Sequence, residues 1–126
     1  MLFDTDVLIW YFRGHARAAA TIRDTALRQV SVVGVMELYA GARNRHELAQ
    51  IKAALRDLKF ETIPLDTEIG ERAAGLMETF TFGSGLMPAD ALIAATALEI
   101  RPPLITANRK HFAIIPGLSL QLSQPN

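Results

Sequence analysis

Four polar residues lie where the pattern of apolar residues predicts that a strand ends or a helix begins. Asp4 follows a first apolar strand, and Glu37 lies one turn beyond the second. Asn108 follows a later strand, and Asp90 lies near the start of the most apolar helix. Because the carboxyl ends of parallel strands meet at one edge of a sheet, we expect these side chains to lie close together. Oxygen ligands without a nearby His or Cys favour a hard cation, so the set predicts a site for Mg²⁺ or Mn²⁺.

Glu37 and Asp90 are the acids that are hardest to explain without a ligand. Each is the only charge in an apolar run, 35–40 for Glu37 and 89–95 for Asp90, and neither run contains a lysine. An unpaired carboxylate buried in such a run is costly, and a bound metal ion would remove that cost. Structural explanations remain open beside this one, because Asp4 can cap a helix and a helix dipole can favour Asp90.

The composition describes one globular domain and excludes several kinds of site. The chain has 126 residues, of which 50% are hydrophobic and 21% are charged, so we expect residues 1–126 to form a single domain. The absence of cysteine excludes thiolate zinc sites, iron–sulfur clusters and disulfides. Thirteen Lys and Arg balance thirteen Asp and Glu. A nucleic acid partner must therefore be attracted by local patches or bound cations.

The beginning of the chain and its most apolar segment argue against export and against membrane insertion. Residues 1–6 contain two acids and no basic residue, unlike a signal peptide. The segment 89–100 also contains two acids and is much shorter than the ~20 residues of a bilayer span. We therefore expect a cytoplasmic protein without a membrane partner.

Short runs typical of strands alternate with helical patterns along the chain. The predicted strands are 1–3, 30–33, 62–65, 103–106 and 118–122. The predicted helices are 7–12, 16–29, 35–43, 46–60, 67–80, 88–99 and 109–112. This order predicts an α/β fold in three layers, α/β/α, with a mainly parallel central sheet. The tail 123–126 is expected to be loose.

Other residues capable of chemistry have ordinary structural explanations. The histidines, His15, His46 and His111, adjoin basic residues or lie on helical surfaces, so we expect solvated side chains rather than bases. The aromatic run 10–12 could stack on nucleobases, but its place on a first helix favours the core. Basic residues near the ends of elements could contact a nucleic acid backbone or be surface charges. They are Arg13, Arg17, Arg43, Arg45, Arg109 and Lys110.

Four blocks of the sequence closely resemble PIN-domain proteins, in order and at the spacing of that family. The blocks are LFDTDVL at 2–8, the segment 31–42 around Glu37, PADALIAATAL at 88–98, and LITANRKHF at 104–112 followed by PGL at 116–118. The resemblance covers essentially the whole chain. It is closest to the VapC-type toxins of bacterial toxin–antitoxin pairs.

The resemblance implies a small ribonuclease that hydrolyses RNA phosphodiester bonds with Mg²⁺ or Mn²⁺. Asp4, Glu37 and Asp90 match the three core acids of the family, and Thr106 matches a hydroxyl residue thought to position water or metal. Asn108 matches a fourth acidic position, which is Asp in many members and Asn in others, so the binding of a second metal ion stays open. Carboxylates alone would repel the transition state of this reaction, so the acids must hold cations that neutralise phosphate charge and activate water.

Two rival classes also fit part of the sequence. Asp4 and Asp6 form the Asp-x-Asp pair of a Mg²⁺-dependent phosphatase of the haloacid-dehalogenase type, although that class needs a late acidic pair and leaves Glu37 without a role. The loss of one charge at Asn108 would instead suit a catalytically weak module for antitoxin binding or signalling. In the PIN-domain interpretation, Asp6 matches a position held by Asn, Ser or Asp and lies behind the ligands.

Helical faces and the resemblance together predict protein partners. The helices 46–60 and 67–80 carry more apolar residues than one small sheet needs, so we expect part of this surface to be exposed. These residues are Leu48, Ile51, Leu55, Leu58, Ile69, Leu76 and Met77. The resemblance implies a homodimer, and a cognate antitoxin that binds in a groove near the acids.

Overall fold

The computed structural model describes residues 1–124, in which strands and helices alternate. The strands are β1 (Leu2–Phe3), β2 (Gln29–Ser31), β3 (Glu61–Ile63), β4 (Leu104–Thr106) and β5 (Leu120–Leu122). The helices are α1 (Thr5–Phe12), α2 (Ala16–Arg23), α3 (Val32–Ala40), α4 (Arg45–Asp57), α5 (Thr67–Phe80), α6 (Pro88–Ile100) and α7 (Arg109–Phe112). All strand pairs of these residues are parallel, in the order β3-β2-β1-β4-β5. The prediction of an α/β fold with a mainly parallel sheet is confirmed.

Two hydrophobic cores lie on opposite faces of the sheet. Successive residues of a strand point to opposite faces. Leu2 and Leu104 accordingly pack with α5, α6 and α7, whereas Phe3 and Ile105 pack with α1 to α4. The result is the predicted three-layer α/β/α arrangement, with the carboxyl ends of the central strands β1 and β4 side by side.

The second strand and its flanking helices differ from the prediction. Helix α2 ends at Arg23 rather than at residue 29, and β2 ends at Ser31 rather than at residue 33. The Ser31 hydroxyl accepts a hydrogen bond from the Val33 backbone N–H and caps α3, so Val32 and Val33 form the first turn of a helix despite their β propensity. Arg28 lies in the preceding loop, where its guanidinium donates to backbone carbonyls, including that of Leu58 at 2.8 Å.

Residues Ser123 and Gln124 are held against the sheet, so the prediction of a loose tail is wrong for them. The Ser123 N–H donates to the Thr106 carbonyl at 2.9 Å and continues the ladder of β4. The Gln124 side chain donates to the Ala107 carbonyl at 3.1 Å. Residues 125 and 126 of the predicted tail lie outside the described residues.

The apolar faces of α4 and α5 are mostly covered within the chain. The part that stays partly exposed, as predicted, is small and consists of the half-buried Leu48, Leu58, Leu76 and Met77. Ile51, Leu55 and Ile69 are buried in the two cores. The large apolar side chains that are exposed lie elsewhere. They include Leu27, Met36, Leu65, Phe82, Met87 and Ile114. Within residues 1–124, no helix is both long enough and apolar enough to span a bilayer.

Candidate active site

Asp4 lies at the junction of β1 and α1 with both carboxylate oxygens engaged. Its Oδ1 accepts from the Thr5 backbone N–H at 2.8 Å, which makes Asp4 the N-cap of α1. Its Oδ2 accepts from the hydroxyl of Thr106, at the end of β4, at 2.7 Å. The side chain is almost fully buried. Asp4 can therefore cap α1 and still take part in a site, because the capping carboxylate lies at the carboxyl ends of β1 and β4.

The Asp4 carboxylate is electrostatically strained in the protein without a cation. Burial, and next the charge of Asp6, raise the pKa of Asp4 from 3.8 to about 7. Hydrogen bonds from Thr106 and Thr5 lower this pKa, and the charge of Asp90 raises it slightly. Burial also raises the pKa of Asp6. Two acids that resist ionisation together at a sheet edge would favour a bound cation.

Asp6, Thr106 and Asn108 are tied to one another through the turn after β4. The Asn108 N–H donates to the Thr106 hydroxyl at 2.9 Å, and the Ala107 N–H donates to Asp6 Oδ2 at 3.1 Å. The other oxygen of Asp6, Oδ1, is shielded from solvent and has no hydrogen-bond partner among residues 1–124. The Thr106 hydroxyl thus links the turn that carries Asn108 to the carboxylate of Asp4.

Glu37 reaches the same edge from the surface of α3. Its carboxylate accepts from the Thr5 hydroxyl at 2.7 Å, one residue from Asp4. A side chain at Gly34 would put a Cβ 3.2 Å from that hydroxyl, so glycine allows α3 to approach α1 closely. Glu37 itself is exposed. The argument that it is a buried, unpaired charge is therefore wrong, because the packing of α3 leaves this face of the apolar run in solvent.

Asp90 lies in the first turn of α6, as the helix-dipole explanation proposed. Its Oδ2 accepts from the Met87 backbone N–H at 3.0 Å, and the same oxygen lies 3.0 Å from Nδ1 of His111. The side chain is 19% exposed. Asp90 is close enough to Asp4 for its charge to raise the pKa of Asp4. The apolar residues that follow Asp90 on α6 are buried in the core, whereas Asp90 itself lies at the edge of the sheet.

His111 is the residue that the sequence analysis missed. It was expected to be solvated, but it is half-buried against Asp90. The available signal was its place directly before Phe112, whose full burial fixes α7 against the domain. His15 packs edge-on against Trp10, and His46 is exposed. The aromatic run 10–12 packs against the core, as predicted.

The oxygen donors at this edge suit a hard cation, although the side chains are not gathered around one. Among residues 1–124, no three acidic or histidine side chains are placed so that they could hold an ion as they stand. Glu37 is turned to Thr5, and Asp90 is turned to its own helix and to His111. The repulsion between Asp4 and Asp6 and the unpartnered Asp6 Oδ1 nevertheless match the needs of a divalent cation. Binding would require Glu37 to turn from Thr5 toward Asp4, whereas Asp90 is held through Oδ2 and keeps Oδ1 free of hydrogen bonds within residues 1–124.

A cleft of about 650 Å³ runs from Glu37 between α1, α3 and α4. Two of the predicted basic residues, Arg13 and Arg43, line it, together with apolar side chains such as Phe12 and Ile51. Arg43 pairs with Glu47 at 2.9 Å. Hydrogen bonds from Arg43 lower the pKa of the Glu47 carboxyl. The cleft contains the candidate acid Glu37, and its walls carry the charged side chains of Arg13, Arg43 and Glu47 beside apolar ones.

The sequence and the fold both match known proteins along nearly the whole chain. The family model of the PIN domain matches residues 1–118. The chain belongs to the PIN-domain family. A PIN-domain relative named Ribonuclease VapC19, from Mycobacterium tuberculosis, is 30% identical over 122 residues, which are 93% of this chain and 95% of the relative. This match confirms the resemblance to VapC-type proteins.

Solved structures with the same PIN-domain fold come from several bacteria. A toxin–antitoxin complex from Klebsiella pneumoniae contains a chain with a TM-score of 0.80 and 33% identity, covering 99% of this chain and 97% of that one. VapBC2 from Rickettsia felis, bound to a DNA fragment from its promoter, also gives a TM-score of 0.80. That match has 21% identity and 98% coverage of both chains, and it supports the fold alone. PIN-domain ribonucleases are generally dependent on divalent metal ions. The phosphatase and signalling alternatives are not favoured.

Proposed function

We propose that the protein is a metal-dependent endoribonuclease toxin that hydrolyses RNA phosphodiester bonds in the cytoplasm and is inhibited by a cognate antitoxin. Residues 1–126 act as a single nuclease domain. The observation that carries the proposal is the similarity to Ribonuclease VapC19 over nearly the whole chain. It is supported by the contact of Glu37 with Thr5, the residue that follows Asp4. The similarity to a chain of the Klebsiella pneumoniae toxin–antitoxin complex supports the antitoxin.

Asp4, Glu37, Asp90 and Asn108 are the proposed ligands of Mg²⁺ or Mn²⁺. The ion would neutralise phosphate charge and lower the pKa of a water molecule that attacks the phosphodiester. Asp4 would hold the ion with a carboxylate that the Thr5 N–H and the Thr106 hydroxyl keep in place. Thr106 therefore acts by orienting Asp4.

RNA is proposed to enter through the cleft beside Glu37. Arg13 and Arg43 line this cleft and would contact backbone phosphates. Arg17 lines a separate cavity, which contains none of Asp4, Glu37 and Asp90. Phe12 offers apolar surface to a nucleobase. Because the net charge of the chain is zero, these local charges must supply the attraction.

Asn108→Asp is expected to strengthen binding of a second divalent ion. The added carboxylate would increase the negative charge next to Thr106 and Asp6, and hard cations bind charged oxygens more tightly than amide oxygens. Calorimetric titration with Mn²⁺ should show higher affinity or a second equivalent. An unchanged titration would assign Asn108 to hydrogen bonding with the turn instead.

The antitoxin is expected to form a stable complex with a homodimer of this chain. Met36 and Met87 are exposed, and they lie directly before Glu37 and three residues before Asp90 in the sequence. Exposed apolar side chains of this kind support protein–protein contact. Light scattering of the purified protein should report a dimer, and coexpression with the short reading frame beside its gene should give a complex that does not cleave RNA.

A monomer that stays fully active after this coexpression would contradict the proposed partners. Met36→Gln together with Met87→Gln should weaken assembly while it leaves the circular dichroism spectrum of the folded chain unchanged, because both side chains are exposed.

A further inference from the structure

The imidazole of His111 contacts the carboxylate of Asp90 across the gap between α7 and α6. Its Nδ1 lies 3.0 Å from Asp90 Oδ2. This nitrogen is shielded from solvent and makes no aligned hydrogen bond within residues 1–124. A buried imidazole nitrogen without a hydrogen bond is unfavourable, and a small rotation of either side chain would complete the bond to Asp90.

The position of the imidazole is fixed from two sides. Phe112, the next residue, is fully buried in the same core as Leu86 and Ala91, and it anchors α7 against the start of α6. On the other side, a Cβ at Gly85 would lie 3.4 Å from both Cδ2 and Nε2 of the ring. The imidazole is therefore held between the Gly85 backbone and the Asp90 carboxylate.

We propose that His111 is a positioning residue that sets the orientation of the Asp90 carboxylate through its Nδ1 atom. Both recorded contacts of Asp90, from the Met87 N–H and from His111, fall on Oδ2. This arrangement leaves Oδ1 for a bound ion. The inference rests on the proposed function, because it assigns to Asp90 the role of a metal ligand.

Two amide substitutions distinguish the ring nitrogens. His111→Asn puts an amide nitrogen near the place of Nδ1, whereas His111→Gln puts one near the place of Nε2. Calorimetric titration with Mn²⁺, in the absence of RNA, should show nearly normal affinity for His111→Asn. For His111→Gln we expect an affinity about 10-fold lower, since the loss of partners that orient a ligand typically has effects of this size. His46→Gln, on the exposed surface of α4, is the matched control and should bind like the wild type.

A double substitution tests whether His111 acts through Asp90. In an Asp90→Asn background, His111→Gln should cause no further loss of Mn²⁺ affinity, because residues that act as one unit are not additive. In RNA cleavage, His111→Gln alone should lower kcat and leave KM for RNA nearly unchanged.

Equal Mn²⁺ affinities of the Asn and Gln variants, or additive losses in the double variant, would overturn the inference while leaving the proposed function intact. A wild-type protein that neither binds Mn²⁺ nor cleaves RNA would contradict both. A lowered melting temperature for His111→Gln with unchanged Mn²⁺ affinity would reduce His111 to a packing residue and would also overturn it.

Discussion

Asp4→Asn is expected to abolish RNA cleavage and to raise the melting temperature of the metal-free protein. The amide still accepts the Thr5 N–H, and its NH₂ group can donate to the Thr106 hydroxyl, so the hydrogen bonds of Asp4 survive in altered form. The buried charge and its repulsion with Asp6 are removed, which should stabilise the fold by about 1–3 kcal/mol at pH 8. The loss of a metal-binding carboxylate should lower the cleavage rate at least ~10³-fold.

The measurement is RNA cleavage together with thermal unfolding of the same preparations. Asp66→Asn is the matched control, because Asp66 also caps a helix, by accepting from the Ile69 N–H at 2.8 Å, but is exposed. It should leave both the cleavage rate and the melting temperature nearly unchanged. Wild-type cleavage by Asp4→Asn at low metal concentration would refute the role of Asp4, and a lower melting temperature would refute the electrostatic strain.

The Asp4 carboxyl is expected to destabilise the metal-free protein progressively as the pH rises from about 4 to about 7. The folded pKa of Asp4, about 7, lies above its ordinary value of 3.8, so in this range the folded state holds a proton on Asp4 that the unfolded state has lost. The contribution of Asp4 to the free energy of unfolding therefore decreases as the pH rises, and the raised pKa of Asp6 acts in the same direction.

Urea unfolding at pH 4.5, 6 and 8 tests this dependence. The quantity to compare is the difference in the free energy of unfolding between Asp4→Asn and the wild type. That difference should grow with pH in metal-free buffer. Millimolar Mg²⁺ should cancel much of it at pH 8, since a ligand that binds the folded state stabilises it. A difference that stays constant across this range would show that Asp4 is not strained, and a lack of any Mg²⁺ effect would contradict the metal site.

The placement of the acids could be predicted from sequence because it depends on local signals. Asp4 directly follows a buried apolar pair, and Asp90 follows the helix-starting Pro88, so strand ends and helix starts locate both. The parallel sheet follows from the alternation of elements, and the pleat of Leu2 and Phe3 then requires a core on each face.

The errors concern properties that only tertiary packing decides. Nothing in the run 35–40 shows that α3 turns Glu37 to solvent and toward Thr5. The contact of His111 with Asp90 joins residues far apart in sequence, and it depends on the burial of Phe112. The extent to which the apolar faces of α4 and α5 are covered also depends on packing, because each face of the short-stranded sheet has its own helical layer and core.

The most direct test of metal-dependent ribonuclease activity is cleavage of a labelled RNA by the purified protein over a titration of Mg²⁺ or Mn²⁺. Asp4→Asn, purified in parallel, controls for contaminating ribonucleases. We expect the wild type to cleave only with the ion present, chelation to stop cleavage, and Asp4→Asn to be inactive at every ion concentration. Equal cleavage by the two proteins, or no cleavage by the wild type at any ion concentration, would contradict this expectation.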